Sequence, residues 1–189
     1  GGSSTSLSRA LNPCGVTMCA SSRMKILKRS RAGAKIGDAV AQGVTTARDL
    51  GNNPGNYMTP TILARSARAM AKATGLKARV LTEAQMGALG MGSLLSVSRG
   101  SVEPAKLIIL EHGRKSKSRP TVCLVGKGLT FDTGGISIKP AGDMDKMRYD
   151  MCGGAAVVGA MEAVARLKLP LHVIGIVPSS ENMPGSKAT

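Results

Sequence analysis

The chain is 189 residues long, the size of one domain, and its 42% apolar content is enough to fill a single buried core. With 26 Lys and Arg against 11 Asp and Glu it carries +15 at pH 7, a charge that favours phosphate, nucleic acid or acidic surfaces as neighbours. One Phe, two Tyr and no Trp exclude the stacking platforms of single-strand nucleic-acid binders, and two His exclude a His-Glu-x-x-His or three-His zinc site. No run approaches the roughly 20 apolar residues that span a bilayer; the longest candidates are 121–126 and 171–177. Four Cys at positions 14, 19, 123 and 152, with no Cys-x-x-Cys pair, fit a reducing compartment better than a disulfide scaffold.

In chain order, residues 1–37 hold seven basic residues, no acid and much Ser, Gly and Ala. Such a leader buries too little apolar surface to offset its ordering entropy and is expected to be disordered. Its composition fits a transit peptide or a solvated tail. Asp38 is expected to cap a helix reaching about Leu50, ended by the turn formers Gly51 to Asn56. Thr59-Pro60 opens a second helix carrying Ile62, Leu63, Ala67, Met70 and Ala71, stopped by Gly75. A strand is predicted at 77–81, and Thr82 with Gln85 forms a capping box for a short helix ending near Gly90. Three strand-like runs follow at 94–98, 106–111 and 121–126, the last read as buried with Cys123 inside it. Arg114 to Arg119 form a solvated connection. After a long glycine-rich loop, residues 153–167 read as an apolar helix broken by Pro170, and 171–177 as a buried strand containing His172, a core histidine. Strands alternating with crossover helices imply an α/β fold, a layered mixed sheet flanked by helices.

Four of the eleven acids, Asp132, Asp143, Asp145 and Asp150, fall within residues 132–150, beginning at the carboxyl end of a predicted strand, where open α/β sheets place ligands. Gly126-Lys127-Gly128 lacks the third glycine of a dinucleotide loop, no phosphate-loop motif occurs, and Ser137 has no nucleophile elbow. Lys127, Asp132, Lys139 and Asp150 instead set two carboxylates and two amines along one stretch. Carboxylates are hard oxygen donors suited to divalent ions, and one aspartate can bridge two of them. A neutral lysine can also ligate, while a charged one can stabilise a developing oxyanion. Asp150 just before the apolar helix gains from its positive end. The plain alternative for this stretch is a surface loop with ordinary ion pairs.

Residues Val125 to Pro140, continued through Met147 to Ala156, resemble the active-site stretch of the leucine aminopeptidase (cytosol aminopeptidase) family of two-metal exopeptidases. The likeness extends to Asn53-Pro54, Asn56 and Pro60, to the strand at 106–111 and to Pro178–Gly185, so that about 38–189 is covered as the N-terminal part of a catalytic domain. It implies that Lys127, Asp132 and Asp150 are metal ligands for two divalent ions (Mn or Zn), with Asp132 touching both. It further implies that Lys139 is the catalytic lysine and that Met147 walls the pocket for the N-terminal side chain. The implied reaction is hydrolysis of the first peptide bond of peptides with apolar, leucine-like N-terminal residues, by a cytoplasmic homo-oligomer, a hexamer in the family, with no membrane partner. Asn53, Pro54 and Pro60 are expected to shape a turn, and Asp143 and Asp145 to be solvated.

The family's remaining acidic ligands and its arginine lie in a downstream Asn-Thr-Asp-Ala-Glu-Gly-Arg motif beyond Thr189, and its N-terminal α/β domain has no counterpart in the basic leader. The expectation is therefore an incomplete catalytic domain with little peptidase activity as 189 residues alone. The alternative reading is a noncatalytic basic remnant whose leader and 114–119 loop grip nucleic acid or another polyanion, a binding that would fall steeply with salt.

Overall fold

The structure, a computed structural model, describes residues 20–118 and 120–189, with side chains from residue 28 onward. Contacts along the chain fall into two units that divide between Gly37 and Asp38. Helix α1 runs Ala20–Asn52, so Asp38 lies inside a helix and does not cap one. The disorder expected of the leader falls, for residues 1–19, outside the described residues; residues 20–37 are helical.

Elements with strong local signals form where those signals stand. Helix α2, Pro60–Thr74, starts at Thr59, whose hydroxyl accepts from the Ile62 amide, and stops at Gly75, which takes the left-handed conformation that ends helices. Strand β1 (Lys77–Leu81) leads into α3 (Glu83–Ala88), where the Thr82–Gln85 capping box is complete. Residues 94–98, expected as a strand, instead lie in helix α4, Gly92–Ser98. Helical spacing lets Leu94 and Leu95 pack on the small cluster of Leu81, Met86, Ala105 and Leu107, and this tertiary contact decides an apolar run too short to settle itself.

Strands β2 (Lys106–His112), β3 (Thr121–Val125), β4 (Gly128–Asp132) and β5 (His172–Asn182) complete a mixed sheet in the order β1-β2-β5-β3, with β4 also on β5. β1 and β2 run antiparallel to each other and β2 to β5, while β3 and β4 pair parallel with successive stretches of β5, His172–Ile176 and Ser179–Asn182. Pairing with β4 carries β5 past the expected end at residue 177. β4 was expected as loop; its glycine and polar residues hide a strand whose pairing is with residues some 50 positions away. β3 is not buried: Cys123, Val122 and Val125 are exposed, because β3 has a neighbour on one side only among the described residues.

Helix α5, Cys152–Arg166, lies against β5. Alternation along the strands divides the apolar residues between two layers. Ile108, Leu110, Val173 and Val177 join Leu50, Leu63, Ala67, Val158 and Met161 in the main core, while Leu107 with Ile109 and Ile176 belongs to the cluster around α3 and α4. The result is an α/β layered mixed sheet flanked by helices.

Candidate active site

The site is built at the carboxyl ends of β4 and β5. Between β3 and β4 the chain breaks at Gly126-Lys127, and the start of α5 presses against this break: the Gly154 amide donates to the Lys127 carbonyl at 2.7 Å, supplying a partner to a helix end that has no side-chain cap. A Cβ on Gly126 would clash with the Gly153 carbonyl, so the close approach needs glycine. The Lys127 side chain projects from the break and is largely exposed.

Asp132 ends β4, on a strand and not on the loop expected for it. The following turn reverses through Gly134 (φ 91°) and Gly135 (φ 67°), conformations that suit glycine, and is tied by the Lys139 amide donating to the Thr133 carbonyl at 2.8 Å. This brings Lys139 back over Asp132, its Nζ 2.7 Å from Asp132 Oδ2 and 2.9 Å from Met147 Sδ. Met147 and Asp150 come from a 3-10 segment, Met144–Met151, that runs directly into α5. Lys127 Nζ lies 2.7 Å from Asp150 Oδ2. That oxygen is buried yet lacks a partner in good hydrogen-bond geometry, so the contact is electrostatic.

Asp132 is the anchor of the group. Burial raises its pKa, but hydrogen bonds from Lys139, the Gly134 amide and Asn182 outweigh burial, with a smaller contribution from the Asp150 carboxyl, and hold it down at about 2. Two carboxylates are thus neighbours, each faced by one lysine. Among the described residues no three His, Cys, Asp or Glu side chains converge on a point, so the donors gathered here are two carboxylates and two amines. An ionised carboxylate, a second whose buried oxygen has spare acceptor capacity and a nearby amine are donors that suit a hard divalent cation.

The structure thus brings together Lys127, Asp132, Lys139, Met147 and Asp150. Asp143 and Asp145 stay exposed, and Asp143 pairs with Lys146 at 2.8 Å. His172 lies at the other end of β5, buried and fully engaged. Asn182 escaped the sequence reading: its side chain touches Asp132 across the β4–β5 pairing, a contact that no local pattern signals. A cleft of about 610 Å³, lined among others by Asn56, Phe131, Asp145, Arg148 and Met183, includes none of the four charged residues of the site.

Residues 45–189 match the catalytic domain of the cytosol aminopeptidase family. The chain belongs to that family. It is 60% identical over 158 residues to a probable cytosol aminopeptidase of Nitrosococcus oceani, a match covering 82% of this chain and 31% of the relative. Against the probable cytosol aminopeptidase of Methylobacillus flagellatus it is 54% identical over 157 residues, covering 83% and 32%. Among solved structures, the bottromycin maturation enzyme BotP in complex with Mn superposes with a TM-score of 0.78 at 44% identity, covering 84% of this chain and 34% of that one. The chain spans about a third of the length of the cytosol aminopeptidases it matches. No helix among the described residues is long and apolar enough to cross a membrane.

Proposed function

We propose that this chain supplies part of the site of a metal-dependent aminopeptidase that removes apolar, leucine-like residues from the N-termini of peptides, in the cytoplasm and as a homo-oligomer, a hexamer in the family. The observation that carries the reading is the convergence of Lys127, Asp132, Lys139 and Asp150 at one strand end, in a chain of the cytosol aminopeptidase family. The Mn complex of the similar BotP supports the metal requirement.

Lys127, Asp132 and Asp150 would hold two divalent ions, Mn or Zn, which when bound supply Lewis acidity toward the scissile carbonyl and toward water. Asp132 is ionised throughout the neutral range and so needs no proton loss to serve, whereas Lys127 must give up a proton to become a nitrogen donor. The Lys139 ammonium, once clear of Asp132, stands ready to donate to the carbonyl oxygen as negative charge develops there. Met147, in contact with Lys139, offers a soft apolar wall to the N-terminal side chain.

The test replaces the matching stretch of the Nitrosococcus oceani relative by residues 45–189 of this chain and measures release of leucine from a leucyl anilide with Mn²⁺. The chimera is expected to hydrolyse it, Lys139→Met to lower kcat on the order of 10²–10³-fold, and Asp132→Ala to abolish the reaction. A folded chimera with no metal-dependent hydrolysis would overturn the proposal.

A further inference from the structure

Asp132 and Asn182 sit opposite each other in the β4–β5 register, the last pair of that ladder. Asn182 Nδ2 donates to Asp132 Oδ1 at 2.8 Å, and the Gly134 amide donates to the same oxygen at 2.9 Å. Oδ1 therefore has both lone pairs engaged by neutral amides, one of the backbone and one of the Asn182 side chain. Oδ2 accepts from the Lys139 ammonium at 2.7 Å, on a long side chain that is about one-third exposed, and the Asp150 carboxyl also lies against Asp132.

Asn182 is itself locked. Its carbonyl oxygen accepts from the Thr133 amide at 2.9 Å and from Thr133 Oγ1 at 2.8 Å. Its amide oxygen packs on Gly135, where an added Cβ would lie 2.6 Å from it. Because an ionised carboxylate only accepts, the amide must turn its NH₂ toward Asp132, which leaves one orientation for both groups.

We propose that Asn182 is a positioning residue that, with the Gly134 amide, occupies Asp132 Oδ1 and so presents Oδ2 as the oxygen for a divalent ion. This rests on the reading of Asp132 as a metal ligand. Partners that orient a ligating carboxylate typically govern metal affinity by about 10–100-fold.

The experiment titrates the 189-residue chain with Mn²⁺ and follows free Mn²⁺ by electron paramagnetic resonance, with the visible absorption of bound Co²⁺ as a second readout. Asn182→Leu keeps the branched shape and removes the donor; Asn182→Ala serves if the leucine does not fold. His172→Leu, at the far end of β5, controls for lost stability. The expected result is an Mn²⁺ Kd raised about tenfold or more and a shifted Co²⁺ spectrum in the Asn182 variants, no Mn²⁺ binding in Asp132→Ala, and an unchanged Kd in His172→Leu. Wild-type Kd in the Asn182 variants, with binding lost in Asp132→Ala, overturns the positioning role and leaves the metal reading standing. Unchanged binding in Asp132→Ala removes the metal reading and the proposal with it. If the 189-residue chain takes up no Mn²⁺, the same variants are compared in the chimera, where wild-type Mn²⁺ affinity in the Asn182 variants overturns the positioning role.

Discussion

The two ends of β5 carry similar chemical groups and use them differently. At the His172 end, the buried imidazole engages both nitrogens, Nδ1 with Thr121 Oγ1 at 2.8 Å and Nε2 with Glu111 Oε1 at 3.0 Å, and Lys77 stands 3.6 Å from Glu111. Each hydrogen-bonding atom of the ring has a partner, and the group ties β2, β3 and β5 together as a closed polar joint. At the Asn182 end, two carboxylates and two lysines meet, Asp150 Oδ2 is buried without a proper hydrogen bond, and the lysines that face the acids are the more exposed partners. A fully satisfied cluster holds a fold, whereas one that keeps unused acceptor capacity behind more exposed cations has donors to spare for a ligand.

The largest effect is expected where α5 meets the break between β3 and β4. Gly126→Val drives a branched side chain into the Gly153 carbonyl and the Val157 methyl, with backbone on one side and core on the other. It should cost about 3 kcal/mol in urea unfolding and should lower Mn²⁺ affinity as well, since Lys127 and the start of α5 shift together. A variant with full stability and full affinity would show that the site end does not depend on this contact.

Next comes the closed joint. His172→Leu removes two hydrogen bonds but leaves Glu111 and Thr121 near enough to water to be solvated, so a loss of about 1–2 kcal/mol is expected. Thr121→Val should cost less, and the double variant less than the sum, because both act on one network. Mn²⁺ affinity should be untouched in all three, which separates the two ends of the strand.

How much of this was legible in the sequence follows the range of the forces involved. α2 and α3 are set by caps within four residues of their own starts, and β1 lies between such signals, so all three were readable. α4 was misread because three apolar residues, Leu94, Leu95 and Val97, carry no decisive period and Met86 and Leu81, outside the run, choose the helix. β4 was hidden because its partner lies in β5, and β3 was judged buried because apolar content does not reveal that a strand stands at an edge. The charged site residues stood out by acid density and by family resemblance. Asn182 could not, since its role exists only through a contact 50 residues away.

The smallest expected effect sharpens the comparison most, because the glutamates near the two ends shift in opposite directions. The hydrogen bond with His172, helped by the charge of Lys77, lowers the Glu111 pKa against the opposing effect of burial, whereas burial raises that of Glu181, only partly offset by the Ser101 hydroxyl at 2.6 Å. For Glu111 the unfolded chain binds the proton more tightly, so its contribution is complete above the ordinary value of 4.5 and decays as pH falls through the depressed one. For Glu181 the folded chain holds the proton more tightly, so stability declines as pH rises from 4.5 through the raised value. Thermal melts across this range should therefore show Glu111→Gln with a weaker loss of stability toward acid than the wild type. Glu181→Gln should gain a small amount at neutral pH, where the wild type keeps a desolvated carboxylate beside Phe131, and nothing below pH 4.5. Parallel pH profiles for the two variants would mean that the ends of β5 differ in geometry alone and not in how they hold charge.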